Sequence, residues 1–434
     1  MKGLRTALVY GAIIAVTMAM IELISFGAIA FLARQPGNGS LASHVERFHP
    51  LFRPPAKQGN IAQLGNRGDA DNPYVFDSRL SYRNRIGVKF TETLPIGPHG
   101  FICNARCEDF PRAKPEGELR VMLFGGSSVA GFGPGITGAD TISAQMEAAL
   151  QPQVPGKRVR VINAGVGGWF SGQELTLLAL EALSFQPDMV VFLDGFNDGQ
   201  QWISELTNKP RLVELKDIVL PNTHYYGYSL ITGFERVQSM GGAVAHTLSL
   251  ASQHYPVLYY TAALAKHARR MSMGAAAADV KDAGDPAAQQ AIVDGFAPRL
   301  DDLSINSVAT YAANLRSAAG IAASHRIPGL FVLQPGAHHA AKAERTATEA
   351  AFVDPARMRV EDRMTLMFFQ AAARRFAGLA TENGRWTRYL DLTGLFAAER
   401  EPVWSDDIHY TAHANRLIAA ALSRQVTDML DKAK

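Results

Sequence analysis

The sequence predicts an α/β fold in which helices cover both faces of a parallel sheet, and three observations predict it. Segments of strand length recur, as apolar runs at residues 121–124, 189–193 and 330–333, as an alternating run at 158–162, and at 387–391. Between them lie segments with helical spacing, such as Ile305, Val308, Ala312, Leu315, Ala319 and Ala322 on one face. Strands that alternate with helices pair in parallel, because each crossover has room for a helix that packs back on the sheet. Finally, the first three runs end in Gly125-Gly126, Asn163 and Asp194. Small and polar residues suit the loops at the carboxyl edge of such a sheet, where ligands bind.

The 434 residues are 47% hydrophobic and 19% charged, with a formal net charge of +3. That is a globular composition. The cations are scattered and form no long run, so nothing resembles a nucleic-acid footprint. The two cysteines, Cys103 and Cys107, offer too few donors for a zinc site. In an oxidising compartment they are expected to close one small-loop disulfide.

Three regions are expected. In residues 1–34, Lys2 and Arg5 precede an apolar run over 6–33 whose only charge is Glu22. A bilayer crossing takes roughly 20 apolar residues, so the run is read as an N-terminal membrane anchor. A cleaved signal peptide using Ala28-Ile29-Ala30 is the alternative. Either reading places the rest outside the cytosol. Glu22 is costly at mid-membrane and calls for a partner or an interfacial position. Residues 35–117 are rich in Pro, Gly, Asn and Arg, which suits a linker followed by an irregular arm with short strands near 74–76 and 86–90. Residues 118–434 form the main domain. An insertion at about 200–300 interrupts its rhythm and is read as a helical cap with a mobile loop.

Within the main domain the elements follow in order. The run 121–124 stops at Gly125-Gly126, then Ser127 and Ser128 precede a helix predicted over 141–150. The run 158–162 ends in Asn163-Ala-Gly-Val-Gly-Gly168. A helix over 171–183 then opens on Ser171, with Glu174 three residues on, the pattern of a capping box. The run 189–193 ends in Asp194-Gly-Phe-Asn197-Asp198. After the insertion, 330–333 ends at Gln334-Pro335, and a helix over 361–382 leads to 387–391. Asp406-Asp-Ile-His409 precedes a final helix with Leu417, Ile418, Ala421, Leu422 and Val426 as its stripe.

These ends of strands carry a chemistry. Acyl transfer by a serine needs a nucleophile, a base, a group that orients the base and donors for the oxyanion. Ser127 follows the first strand and Gly168, with a backbone N–H, follows the second. Asn197 follows the third and has a side-chain NH₂ donor. Asp406 and His409 lie three apart in one turn after the last, a spacing that lets the carboxylate reach the imidazole. Ser128 adjoins Ser127, and Asp407 adjoins Asp406, so each has a neighbour of the same chemistry. Other chemistries find less support. Gly131-x-Gly133-x-Gly135 lacks the dinucleotide spacing, no Gly-Lys-Ser/Thr occurs for a P-loop, and Gly-x-Ser-x-Gly is absent. His338-His339 reads as loop, since adjacent residues rarely face one ion. No metal and no cofactor are expected.

The four stretches resemble the four blocks of the SGNH hydrolases, the GDSL-type lipases and esterases. Gly125-Gly126-Ser127 is similar to the Gly-Asp-Ser block, with Gly126 in place of Asp. Asn163 to Gly168 is similar to the glycine block, Gly195-Phe-Asn197-Asp198 to Gly-x-Asn-Asp, and Asp406-x-x-His409 to the closing block. The resemblance covers about residues 118–434. It implies a flavodoxin-like three-layer sandwich with a five-stranded parallel sheet. It also implies Ser127 as nucleophile, His409 as base, Asp406 as its orienter, and an oxyanion hole of Asn197, Gly168 and the Ser127 N–H. The apolar N-terminus, the arm and the Gly-Gly-Ser-Ser form resemble the bacterial envelope branch. The expected protein is a single-pass inner-membrane protein whose catalytic domain faces the periplasm or the exterior. The expected activity is an esterase that removes acyl groups, acetyl first among them, from an envelope glycan or lipid. An O-acyltransferase built on the same triad and a non-catalytic assembly component are the alternatives.

Overall fold

The computed structural model describes residues 2–32, 34, 73–206, 261, 264, 286–355 and 358–433. The chain divides into two compact units, residues 1–58 with 221–282 and residues 59–220 with 283–434. The Tyr-rich and Ala-rich pieces of the expected insertion lie outside the described residues.

In the first unit the apolar N-terminal run forms one helix, α1 (Lys2–Leu32). Its carboxylate, Glu22, accepts hydrogen bonds from the Thr261 backbone N–H at 3.1 Å and from the Thr261 hydroxyl at 2.8 Å. Ser25 Oγ lies 3.1 Å from the same hydroxyl. Glu22 is thus hydrogen-bonded within this unit. Among the described residues no helix is long and apolar enough to cross a membrane. The structure therefore bears out the helix but lends the transmembrane assignment of 6–33 no support.

The second unit opens with the arm, four short strands in two antiparallel pairs: β1 (Tyr74–Asp77) with β2 (Ser81–Asn84), and β3 (Lys89–Thr91) with β4 (Leu94–Pro95). The main sheet follows. In chain order it comprises β5 (Glu118–Gly125), α2 (Ser127–Ala130), α3 (Ile142–Leu150), β6 (Arg158–Asn163), α4 (Ser171–Leu180), β7 (Met189–Asp194), α5 (Phe196–Leu206), α6 (Pro286–Phe296), α7 (Val308–Ser324), β8 (Gly329–Leu333), α8 (Ala347–Phe352), α9 (Val360–Leu379), β9 (Thr387–Asp391) and α10 (Ala412–Ala433). The five strands stand in the order β6-β5-β7-β8-β9, and every pairing is parallel. This is the flavodoxin-like arrangement, with helices on both faces.

Side chains on a strand alternate between faces. Leu119, Val121, Leu123, Val159, Val161, Val191 and Leu193 therefore enter one core with α3 and α10, and Met122, Phe124, Ile162, Val190, Phe192 and Phe331 enter the other with α4, α5, α7 and α9. β5, β7 and β8 are buried along their whole length. That is why they read as unbroken apolar runs rather than as alternation. Cys103 and Cys107 are joined in a disulfide.

One local expectation fails. Ser171 is the first residue of α4 rather than its cap; Phe170 takes the cap position without a side-chain bond. The Ser171 hydroxyl is instead given to Asp198 at 2.5 Å, and Glu174 turns into the core, fully buried.

Candidate active site

The strand order reverses between β5 and β7, and a crevice opens at such a switch point above the carboxyl ends of the strands. Gly125 pairs with Leu193, so the residues after each strand come level across that crevice. Ser127 follows β5 and Asn197 follows β7.

Ser127 begins α2, a single turn that ends in Gly131 in the left-handed conformation. Its hydroxyl lies 2.8 Å from His409 Nε2. His409 Nδ1 lies 2.6 Å from Asp406 Oδ2. The other carboxylate oxygen, Oδ1, accepts the backbone N–H of Ile408 at 3.0 Å and of His409 at 2.7 Å. One short loop therefore holds both the imidazole and its orienting group. Ser127 and His409 are buried, and the Phe132 ring packs on the imidazole with centroids 4.6 Å apart. Burial alone would raise the Asp406 carboxyl, but the His409 ring and the two backbone donors outweigh it and hold it below its ordinary range. With Nδ1 tied to a carboxylate, Nε2 is left to take a proton from the hydroxyl.

The imidazole meets Ser127, not Ser128, and the carboxylate it meets is Asp406, not Asp407. The Asp407 side chain is 44% exposed and lies 3.9 Å from His338. Burial and the neighbouring Asp406 charge raise its pKa. His339 stacks on Phe369, and burial lowers its pKa to about 3. Among the described residues no group of three or more His, Cys, Asp or Glu side chains is placed to hold a metal ion.

Of the donors expected for an oxyanion, the Asn197 amide lies against the turn that carries Ser127. Among the described residues neither the Ser127 nor the Gly168 backbone N–H has an acceptor in the protein. Gly168 has φ +80°, a left-handed turn that favours glycine. Asn197 Nδ2 donates one hydrogen to the Trp169 carbonyl at 2.6 Å, which leaves its second hydrogen free. A Cβ on Gly126 would lie 2.3 Å from that nitrogen. The missing side chain at 126 is what lets the Asn197 amide sit beside Ser127.

Sequence reasoning missed the arm's part in this. Tyr82 donates its hydroxyl to the Gly167 carbonyl at 2.8 Å, and Asn84 donates to Gly165 at 3.0 Å. Trp169 Nε1 donates back to Tyr82 at 3.0 Å. The arm thereby fixes the carbonyls of the glycine turn on the side away from the free Gly168 N–H. No local pattern signals these contacts, which span more than eighty residues. Asn163 adds a second restraint, donating to the Val129 carbonyl at 2.9 Å and accepting from Gly165 N–H at 3.0 Å. It ties the turn carrying Ser127 to the glycine block.

No family model and no curated protein matches the chain. Among solved structures, it is similar to a lipolytic protein of the G-D-S-L family from Desulfitobacterium hafniense, at 10% identity and TM-score 0.34, over 70% of this chain and 98% of that one. A lipase/acylhydrolase from Enterococcus faecalis aligns at 13% identity and TM-score 0.31, over 71% of this chain and 96% of that one. An acetyl xylan esterase aligns at 12% identity and TM-score 0.34, over 71% of this chain and all of that one (100%).

Proposed function

We propose that the chain is a serine hydrolase of the SGNH, GDSL-type kind, acting on ester bonds. The observation that carries this is the unbroken line from the Ser127 hydroxyl through His409 to Asp406, at 2.8 and 2.6 Å. Ser127 Oγ attacks the ester carbonyl as its proton passes to His409 Nε2. Negative charge then develops on the carbonyl oxygen, where the N–H groups of Ser127 and Gly168 and the Asn197 amide stabilise it. Asp406 holds the ring in the right tautomer and offsets its charge while it is protonated. The proton on Nε2 goes to the leaving alcohol, which departs and leaves an acyl-serine. Water, deprotonated by the same nitrogen, then releases the acid and restores the hydroxyl.

The substrate we infer is an acyl ester of an envelope glycan or lipid, with acetyl as the acyl group. We infer a single-pass protein of the bacterial inner membrane, with this domain facing the periplasm or exterior. Two features support that placement, the apolar sequence of residues 6–33 and the Cys103–Cys107 disulfide, which suits an oxidising compartment. A fluorophosphonate probe tests the chemistry, since it labels only an activated serine. Labelling mapped to Ser127 is expected, with turnover of a chromogenic acetyl ester. An unlabelled protein would rule the reading out. Supplying a sugar acceptor separates hydrolysis from transfer: acetate released at an unchanged rate is expected, whereas acetylated sugar would make the chain an acyltransferase. Deleting residues 1–34 is expected to move the protein from the membrane fraction to the soluble one with turnover intact.

A further inference from the structure

The loop that carries Asp406 and His409 is a tight reversal. Ser405 N–H donates to the His409 carbonyl at 2.8 Å, Thr411 N–H donates to Val403 at 3.1 Å, and Trp404 pairs with Tyr410 as an isolated antiparallel bridge. Its near end rests on a buried charge pair that the acyl-transfer scheme does not use. Glu349 and Lys342 have no exposed side-chain surface, and Lys342 Nζ lies 3.0 and 2.7 Å from the two carboxylate oxygens. Glu349 Oε1 accepts the backbone N–H of Val403 at 2.8 Å and of Trp404 at 3.3 Å. Its Oε2 accepts Thr346 N–H at 3.0 Å, closing the cap of α8. The third donor direction of Lys342 reaches the Glu401 carbonyl at 2.7 Å. The pair therefore holds residues 401, 403 and 404 at once, just before Asp406. Arg345 and Lys342 also lie over the Trp404 ring, at 5.2 and 6.0 Å from its centroid.

We infer that Glu349 and Lys342 form a positioning pair for the proposed triad, setting the loop so that His409 meets Ser127. The inference rests on the serine-hydrolase reading. Stability alone is a poor reason to bury such a pair, because two charges leave water, and an apolar pair of the same volume often serves as well. What an apolar pair cannot supply is an acceptor for two adjacent backbone N–H groups together with a donor to a third backbone group. A shift of about 1 Å at the base is enough to slow acyl transfer substantially.

Two variants test this. Glu349→Leu/Lys342→Met removes both charges together, leaves none buried alone, and takes away the acceptor that Val403 and Trp404 use and the donor that reaches Glu401. Glu349→Asp keeps both charges but draws the carboxylate back by one methylene from Val403 and Trp404. Purified protein is titrated with the fluorophosphonate probe, and its labelling rate, kcat and KM on a chromogenic acetyl ester are referred to the titrated fraction. The expected result is a kcat and labelling rate lowered roughly tenfold or more in each variant, with KM within about twofold of the parent. A pair that only adds stability would lower the melting temperature and leave both rates per titrated site unchanged, and that outcome overturns the inference. If the double variant does not fold, Glu349→Asp decides alone on the same readouts. Parental rates in a labelled protein overturn this inference alone. A parent that does not label at Ser127 overturns the hydrolase reading and this one with it.

Discussion

The pairs of like residues in the two outer blocks make the sharpest test at the level of single side chains. Ser127→Ala and His409→Ala are expected to abolish turnover to a similar degree, because nucleophile and base act as one unit. Asp406→Ala is expected to lose less, since the imidazole remains, and Asp407→Ala very little, since its carboxylate faces His338. Kinetics of the purified, folded variants on a small acetyl ester check this; a dead Asp407→Ala beside an active Asp406→Ala would reverse the assignment. Gly126 gives a second test. Its absent Cβ is the space in which the Asn197 amide sits, 2.3 Å from where that atom would be. Gly126→Ala is therefore expected to push away one oxyanion donor and lower kcat by about 10²–10³-fold, the usual cost of losing such a donor. Asn197→Ala should cost as much. The two together should cost little more than either, since both remove the same interaction. A full additive loss in the double variant would show that Gly126 acts through something else.

Among the secondary elements, the arm has its expected short strands near 74–76 and 86–90, but its hold on the glycine turn was not read from the sequence. Tyr82→Phe removes only the hydroxyl that holds the Gly167 carbonyl. It is expected to cost about 1 kcal/mol of stability and to lower kcat several-fold with KM little changed, because the next residue, Gly168, is the proposed donor. Melting curves and steady-state kinetics on the same preparation check it, and a parental kcat would make the arm a support for the fold alone. The sheet itself was legible. Residues 121–124 and 189–193 are apolar without interruption because both faces of those strands are covered, and glycine or aspartate stops each at the carboxyl edge. Ser127 and Asn197 were legible for the same reason, as polar groups just past apolar runs, and Asp406 and His409 were legible from their spacing, three apart in one turn. The arm was not, because Tyr82 and Asn84 act on carbonyls more than eighty residues away and carry no periodic mark. Ser171 shows the opposite failure. It has the local form of a helix cap, but Asp198 from the next turn takes its hydroxyl. Glu349 reads as one more helix-start acid and reveals its second task only when Val403 and Trp404 arrive from fifty residues further on.

For the molecule as a whole, buried carboxyls decide how stability varies with pH. Glu174, Asp194 and Asp198 are buried together behind the turn that carries Asn197. Burial, then the charges of Asp194 and Asp198, raise the Glu174 carboxyl far above its ordinary range. Burial, then the Asp198 charge, does the same to Asp194, and burial pushes Asp198 up to about 7 despite the bonds from Ser171. A carboxyl raised in this way keeps its proton in the fold after the unfolded chain has lost it. Its contribution is complete below about pH 4 and is lost as pH rises through the folded value. Groups with lowered values act in the acid range. Glu349, which burial would raise but Lys342 and backbone donors hold at about 2, contributes stability above its unfolded value, and this is lost as pH falls toward 2. His339, kept neutral to about 3 by burial, loses its contribution as pH falls below its ordinary 6.5. Above about pH 6.5 those lowered groups no longer titrate, whereas Asp198, pushed up to about 7, still does. The melting temperature is therefore expected to fall as pH rises from about 6.5 to 7.5, the unfolding free energy dropping by up to about 1.4 kcal/mol per pH unit for each proton retained. Glu174→Gln keeps the shape of the side chain, cannot ionise and removes the repulsion between Glu174 and the Asp194 and Asp198 charges, so its slope should be shallower. Thermal melts of parent and variant at matched ionic strength measure both slopes. A parent whose melting temperature is flat from pH 6.5 to 7.5 would mean that these buried carboxyls do not hold their protons in the fold, and a Glu174→Gln variant with the parental slope would mean that Glu174 takes no part in it.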